Sequence, residues 1–122
     1  MKLHLAAVGD RNQFTGYGAG YVSVNNQRYE HAIVVTPQTL HEHWHVSDVD
    51  ALSGPSLAFL LTLKPEILLL GTGATHRFPN PASLRVFAEA QIGVESMDTA
   101  AACRTFNILM AEGRNVVAAI IV

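Results

Sequence analysis

The stretch PEILLLGTG, residues 65–73, joins a run of four aliphatic residues to two glycines. Ile67 to Leu70 lacks the polar alternation of a strand with one wet face, so it predicts a strand buried on both sides, as in a parallel sheet. Gly71 and Gly73 follow at once, and glycine admits backbone angles and close approaches that a side chain blocks. In open sheets of parallel strands, ligands gather beyond the carboxyl ends of the strands. The pattern therefore predicts the place of a site before it says anything of its chemistry.

On either side of this strand the chain reads as alternating helix and strand. Ser53 is suited to cap a helix with Pro55 in its first turn and Leu57, Leu60 and Leu61 on its buried face. Asn80 precedes Pro81, a helix start, and that helix runs to about Gln91 and stops near Gly93. Val94 to Met97 is a short strand, and Asp98 caps a third helix that buries Ala102, Cys103, Phe106, Leu109 and Met110 at three-and-four spacing before Gly113 ends it. Asn115 to Val122 is continuously apolar and predicts an interior strand. Two strand-helix-strand units with right-handed crossovers give parallel neighbours and a shared carboxyl rim.

The N-terminal half has a different texture. Tyr17 to Val24 and Arg28 to Thr36 are rich in aromatic and β-branched residues, with Asn25-Asn26 between them as a hairpin turn. A third strand is expected over Thr39 to Val46, after a loop marked by Pro37. These antiparallel hairpins extend or cover the parallel sheet. One α/β domain over residues 1–122 accounts for the whole pattern, because a chain of this length buries a sufficient core without disulfides or metal.

Composition narrows the function classes. A hydrophobic fraction of 49% with 15% charged residues excludes a disordered chain. No run reaches the ~18 apolar residues of a membrane span, so no membrane insertion is expected. A formal charge of -2, with scattered Lys and Arg, gives no basis for binding nucleic acid. The opening MKLHLAAVGD lacks the features of a secretory signal or an organellar presequence, and Cys103 is the sole cysteine, so a cytoplasmic bacterial-type protein is expected.

The carboxyl rim gathers Gly71, Thr72, Gly73, Asp98 and Thr99, with Arg104 and Asn107 on one side of the third helix. An anion or carboxylate is the natural guest of such a group, given a fixed cation and helix-start donors. The same residues also have a purely structural reading: glycines turn the chain, and Asp98 is a helix cap. A carboxylate held as an anion by backbone donors is a poor proton carrier, so no catalytic residue is expected among them.

Named motifs fail on inspection. Gly71-Thr72-Gly73 begins a dinucleotide fingerprint, but His76 occupies the third glycine position. The loop has no lysine for a P-loop, and no Gly-x-Ser-x-Gly elbow exists. No cofactor is implied. His41, His43 and His45 would share one face of a strand, but the outer two would then stand about 13 Å apart at ~3.3 Å per residue, too far for one zinc. Two of them with His4, His31 or His76 remain possible, yet a solvent-facing strand is the simpler reading, with no metal. Cys103 in an apolar stripe reads as core rather than nucleophile.

PEILLLGTG, HRFPNP, GYGAGY and above all VESMDTAAACRTFNILMAEGRNVVAAIIV resemble the small domain-of-unknown-function family shared by uncharacterised bacterial and archaeal proteins and the mitochondrial complex I assembly factor 3. The residues matching its motifs are Gly71, Thr72, Gly73, Met97, Asp98, Thr99, Arg104, Asn107, Glu112, Gly113 and Arg114. The resemblance implies a three-layer α/β domain with a mixed central sheet and no established catalysis. It also implies a protein partner, since the mitochondrial members act in assembly. Two functions follow as expectations: a non-catalytic interaction or assembly factor, and a small-molecule module, or an unrecognised enzyme, that binds an anion or carboxylate at the rim around Gly71, Gly73, Asp98 and Arg104.

Overall fold

The computed structural model describes residues 11–122, so the readings of the opening segment and of His4 lie outside the described residues. In chain order, strands β1 (Phe14–Gly18), β2 (Tyr21–Val24), β3 (Gln27–Tyr29), β4 (Ile33–Val35) and β5 (Leu40–His41) precede helix α1 (Gly54–Thr62). Then come β6 (Ile67–Thr72), helix α2 (Pro81–Glu89), β7 (Gly93–Met97), helix α3 (Thr99–Ala111) and β8 (Val116–Ile121). Strands β1-β2-β3 form one antiparallel sheet, and a second, mixed sheet has the order β5-β4-β8-β6-β7.

The expected parallel core is present. β6 pairs in parallel with both β7 and β8, Gly71 lying opposite Met97 and Ile120, so the three strands end on one rim. β4 joins β8 antiparallel and extends that sheet, whereas the first three strands cover it. The pleat of β8 sends alternate side chains into two cores. Val116, Ala118 and Ile120 face α3 and the three-stranded sheet, while Val117, Ala119 and Ile121 face α1, α2 and Trp44. Every residue of β8 is buried, which is why its sequence carries no polar alternation. The result is three layers: α1 and α2, the mixed sheet, then α3 with the antiparallel sheet.

The helix starts behave as their sequences predict. The Asn80 and Asp98 side chains accept from the N–H groups of Ala82 and Ala101, and Ser53 stands at the N-cap of α1, where the Ser56 hydroxyl accepts from its N–H. α3 ends before Gly113, whose φ of 81° needs no side-chain accommodation.

Four expectations need correction. Tyr17 to Val24 is two strands, because the chain reverses at Ala19-Gly20, with φ of 76° at Gly20. Arg28 to Thr36 divides between the two sheets, turning at Glu30 to Ala32 so that Tyr29 and Ile33 reach the core from different layers. The strand expected over Thr39 to Val46 is only Leu40–His41, since Trp44 and Val46 bury themselves in the core beside α1 instead of continuing the ladder. Finally, α2 is ended by Gln91, at φ of 60°, while Gly93 already belongs to β7. The Asn25-Asn26 hairpin turn is as expected, both residues having positive φ.

Candidate functional site

At the carboxyl rim, β6 meets the first turn of α3 closely enough to fix its residue types. A Cβ at Gly71 would lie 3.0 Å from Ile120, 3.1 Å from the Thr99 hydroxyl and 3.2 Å from Ala102. Gly73, at φ of 104°, donates its N–H to the Thr99 Oγ1 at 2.9 Å, and its carbonyl accepts from the Thr99 N–H at 2.9 Å. The same Thr99 hydroxyl donates to the carbonyl of Ile121. One buried side chain thus ties the ends of β6 and β8 to the start of α3. Thr72, also buried, donates to the carbonyl of Thr75 at 2.8 Å and accepts from the N–H of Arg77 at 3.0 Å, which closes the loop leaving β6.

The structure brings Gly71, Thr72, Gly73, Asp98 and Thr99 together. Asn107 and Arg104 turn instead toward β1. Asn107 makes a two-point bond with Phe14, donating to its carbonyl at 2.8 Å and accepting from its N–H at 2.9 Å. Arg104, exposed, donates to the Tyr17 hydroxyl at 2.9 Å, and that bond raises the guanidinium's already high pKa. Tyr17 in turn walls a cavity of about 490 Å³ at the rim, otherwise bounded by residues 18–20, Gly73, Ala74, Thr99, Ala100 and Val122. Arg104 therefore reaches the cavity's border through Tyr17, and Asn107 stays outside it.

Cys103 is buried, and burial pushes its thiol up to about 12, with Arg104 pulling weakly the other way. A thiol so far from ionising is a core group at neutral pH. Among the described residues, no group of three or more His, Cys, Asp or Glu side chains stands close enough to hold a metal ion. His41 bonds the Thr39 hydroxyl at 3.0 Å and packs edge-on to Phe59, while the His43 and His45 rings are 6.2 Å apart. The premise of three histidines along one strand does not apply, because β5 ends at His41.

The loop from Gly73 to Asn80 holds a feature that pattern reading missed. Phe78 is 81% exposed, although Pro79 beside it is buried. The loop is tied down by Thr72, by an Arg77 to Asp50 ion pair at 2.5 Å and by the His76 bond to the Ser96 hydroxyl at 3.0 Å. An aromatic residue between arginine and proline, in a loop that lies between β6 and α2, was the available signal.

A match to a family of known sequences runs from residue 14 to residue 121, the first residue of β1 to the last of β8. The chain belongs to the family described as Protein of unknown function (DUF498/DUF598). Among its relatives, NADH dehydrogenase (ubiquinone) 1 alpha subcomplex assembly factor 3 of Bos taurus is 36% identical over 104 residues, 84% of this chain and 55% of the bovine protein. A Francisella tularensis protein named 13 kDa major membrane protein is 31% identical over 104 residues, 84% of this chain and 85% of its own. The crystal structure of a Bordetella parapertussis protein superposes with a TM-score of 0.85 at 42% identity, covering 91% of this chain and 95% of that one. The chain spans about half the length of the animal assembly factors it matches. Among the described residues, no helix is long and apolar enough to cross a membrane.

Proposed function

We propose that this family member is a non-catalytic protein-interaction factor, acting in assembly as the names of its animal relatives describe. The observation that carries the reading is the likeness to those assembly factors across 84% of this chain. Two features of the molecule support it. The polar side chains at the rim are occupied with holding the fold together, and the rim's loop presents Phe78 to solvent on a braced backbone, the type of aromatic anchor that dominates protein interfaces. In this proposal the protein works from the cytoplasm and engages its partner through the Gly73 to Asn80 loop, with no insertion into the bilayer and no nucleic acid.

Capture from cells expressing the tagged chain at native level tests it. Wild type should retain a defined set of proteins, and Phe78→Ser should lose that set with its melting temperature unchanged. Equal capture by wild type and an unrelated tagged control, with a metabolite retained in native mass spectra, would overturn the proposal.

A second reading rests on the cavity of about 490 Å³ at the rim, with Arg104 bonded to its Tyr17 wall. A small anion or carboxylate is the proposed ligand. Gly71, Thr72, Gly73, Asp98 and Thr99 would form the rim beneath it, Arg104 would supply the cation through its unused donors, and Asn107 would hold β1 and hence Tyr17 in place. Small carboxylates should raise the melting temperature of wild type, and Arg104→Ala should abolish the rise. A shift of equal size in the variant would remove Arg104 from any such site.

A further inference from the structure

The segment after β5 combines a buried anchor with outward-facing metal-binding side chains. Trp44 is only 4% exposed, donates its indole N–H to the carbonyl of Ser56 at 3.2 Å, and packs in the core with Val46. Its own carbonyl accepts from the N–H of Val46 at 2.9 Å. Alternate residues in this stretch are therefore fixed inward, and His43 and His45, on either side of Trp44, are both exposed. Their ring centres lie 6.2 Å apart with the planes inclined at 35°.

That separation suits one shared ion. A first-row metal about 2.1 Å from a ring nitrogen sits roughly 3.2 Å from the ring centre, so two imidazoles can share it with centres up to about 6.4 Å apart. The tetrahedral angle needs about 5.2 Å, so the two exposed rings must rotate toward each other by about 1 Å to reach it. The rings also line a cavity of about 680 Å³ together with His31, Glu30 and Glu42. That space leaves the remaining coordination positions open to water or an added donor.

We propose that His43 and His45, held in register by the buried Trp44, form a two-imidazole site for a divalent first-row transition metal. Zinc, nickel and copper are the ions that imidazole ligation favours, in contrast to the oxygen-seeking magnesium and calcium. This site is independent of the rim and of the Phe78 loop, so its test does not depend on the proposed interaction role.

The experiment is calorimetric titration of the untagged full chain with Zn²⁺ and with Ni²⁺. One equivalent should bind, and His43→Asn and His45→Asn should each weaken binding roughly tenfold or more. His41→Asn should bind as wild type does, because that ring faces Phe59 and Thr39. Melting temperatures of His43→Asn and His45→Asn should match wild type, since both rings are exposed. Wild-type affinity in His43→Asn or His45→Asn, an equal loss in His41→Asn, or uptake without a defined stoichiometry would mean an adventitious ion only and would overturn the proposal.

Discussion

The rim of β6, β7 and β8 and the segment that follows β5 are both dense in polar side chains, and they use them in opposite ways. At the rim, Thr99 is bonded to backbone groups of Gly73 and Ile121, Thr72 to the loop after β6 and Asp98 to the first turn of α3, so polarity there is part of the frame. After β5, Trp44 and Val46 hold the chain to the core, and the histidines beside Trp44 face outward. Function-like residues are therefore poor guides to function until their bonding partners are known. Phe78, His43, His45 and the spare donors of Arg104 are among the described groups left available.

The contrast can be tested by substitution. Each region rests on a buried aromatic residue: Phe106 in α3, edge-on to Phe14 and about two turns beyond the rim, and Trp44. Phe106→Ala and Trp44→Ala should each cost about 3–5 kcal/mol in urea unfolding. A cost below about 1 kcal/mol for Trp44→Ala would mean that the histidine segment is not pinned.

Thr99→Val comes next, keeping the shape while leaving the Gly73 N–H and Ile121 carbonyl without their partner. A loss of about 2–3 kcal/mol is expected from the same measurement. Asn107→Ala should cost about 1–3 kcal/mol and speed amide exchange at Phe14, because two backbone groups of β1 lose their only shared side chain.

Cys103 gives the smallest effect near neutrality and a signed pH dependence. Its folded pKa, about 12, lies above the ordinary value of 9.0, so the unfolded thiol ionises first. The contribution is fully present below 9.0 and declines as pH rises toward 12. At neutral pH a thiol reagent should label Cys103 only as fast as the protein opens, and stoichiometric labelling of the folded protein within seconds would contradict its burial.

Much of the frame was legible because it depends on local chemistry that leaves a mark in sequence. Ile67 to Leu70 and Val116 to Ile121 have no polar alternation since both faces are covered, and Asn80 and Asp98 are caps of the expected kind. The N-terminal half was less legible. Tyr17 to Val24 has the composition of a strand on both sides of its turn, and only Gly18 and Gly20 mark the reversal. His41 to His45 alternates like a strand without belonging to one, because the burial of Trp44 is a tertiary event.

The rim residues were located correctly as neighbours, apart from Arg104 and Asn107. Their spacing placed both on one side of α3, but nothing local indicated that this side faces β1. Phe78 carries no mark in the sequence pattern, because its exposure, rather than its type, makes it distinctive.

The most telling measurement is crosslinking capture from cells with wild type and Phe78→Ser side by side, each checked for an unchanged melting temperature. Partner proteins retained by wild type and absent from the variant are the predicted result. An identical set of partners in both, or none in either, would contradict a contact surface at the Phe78 loop.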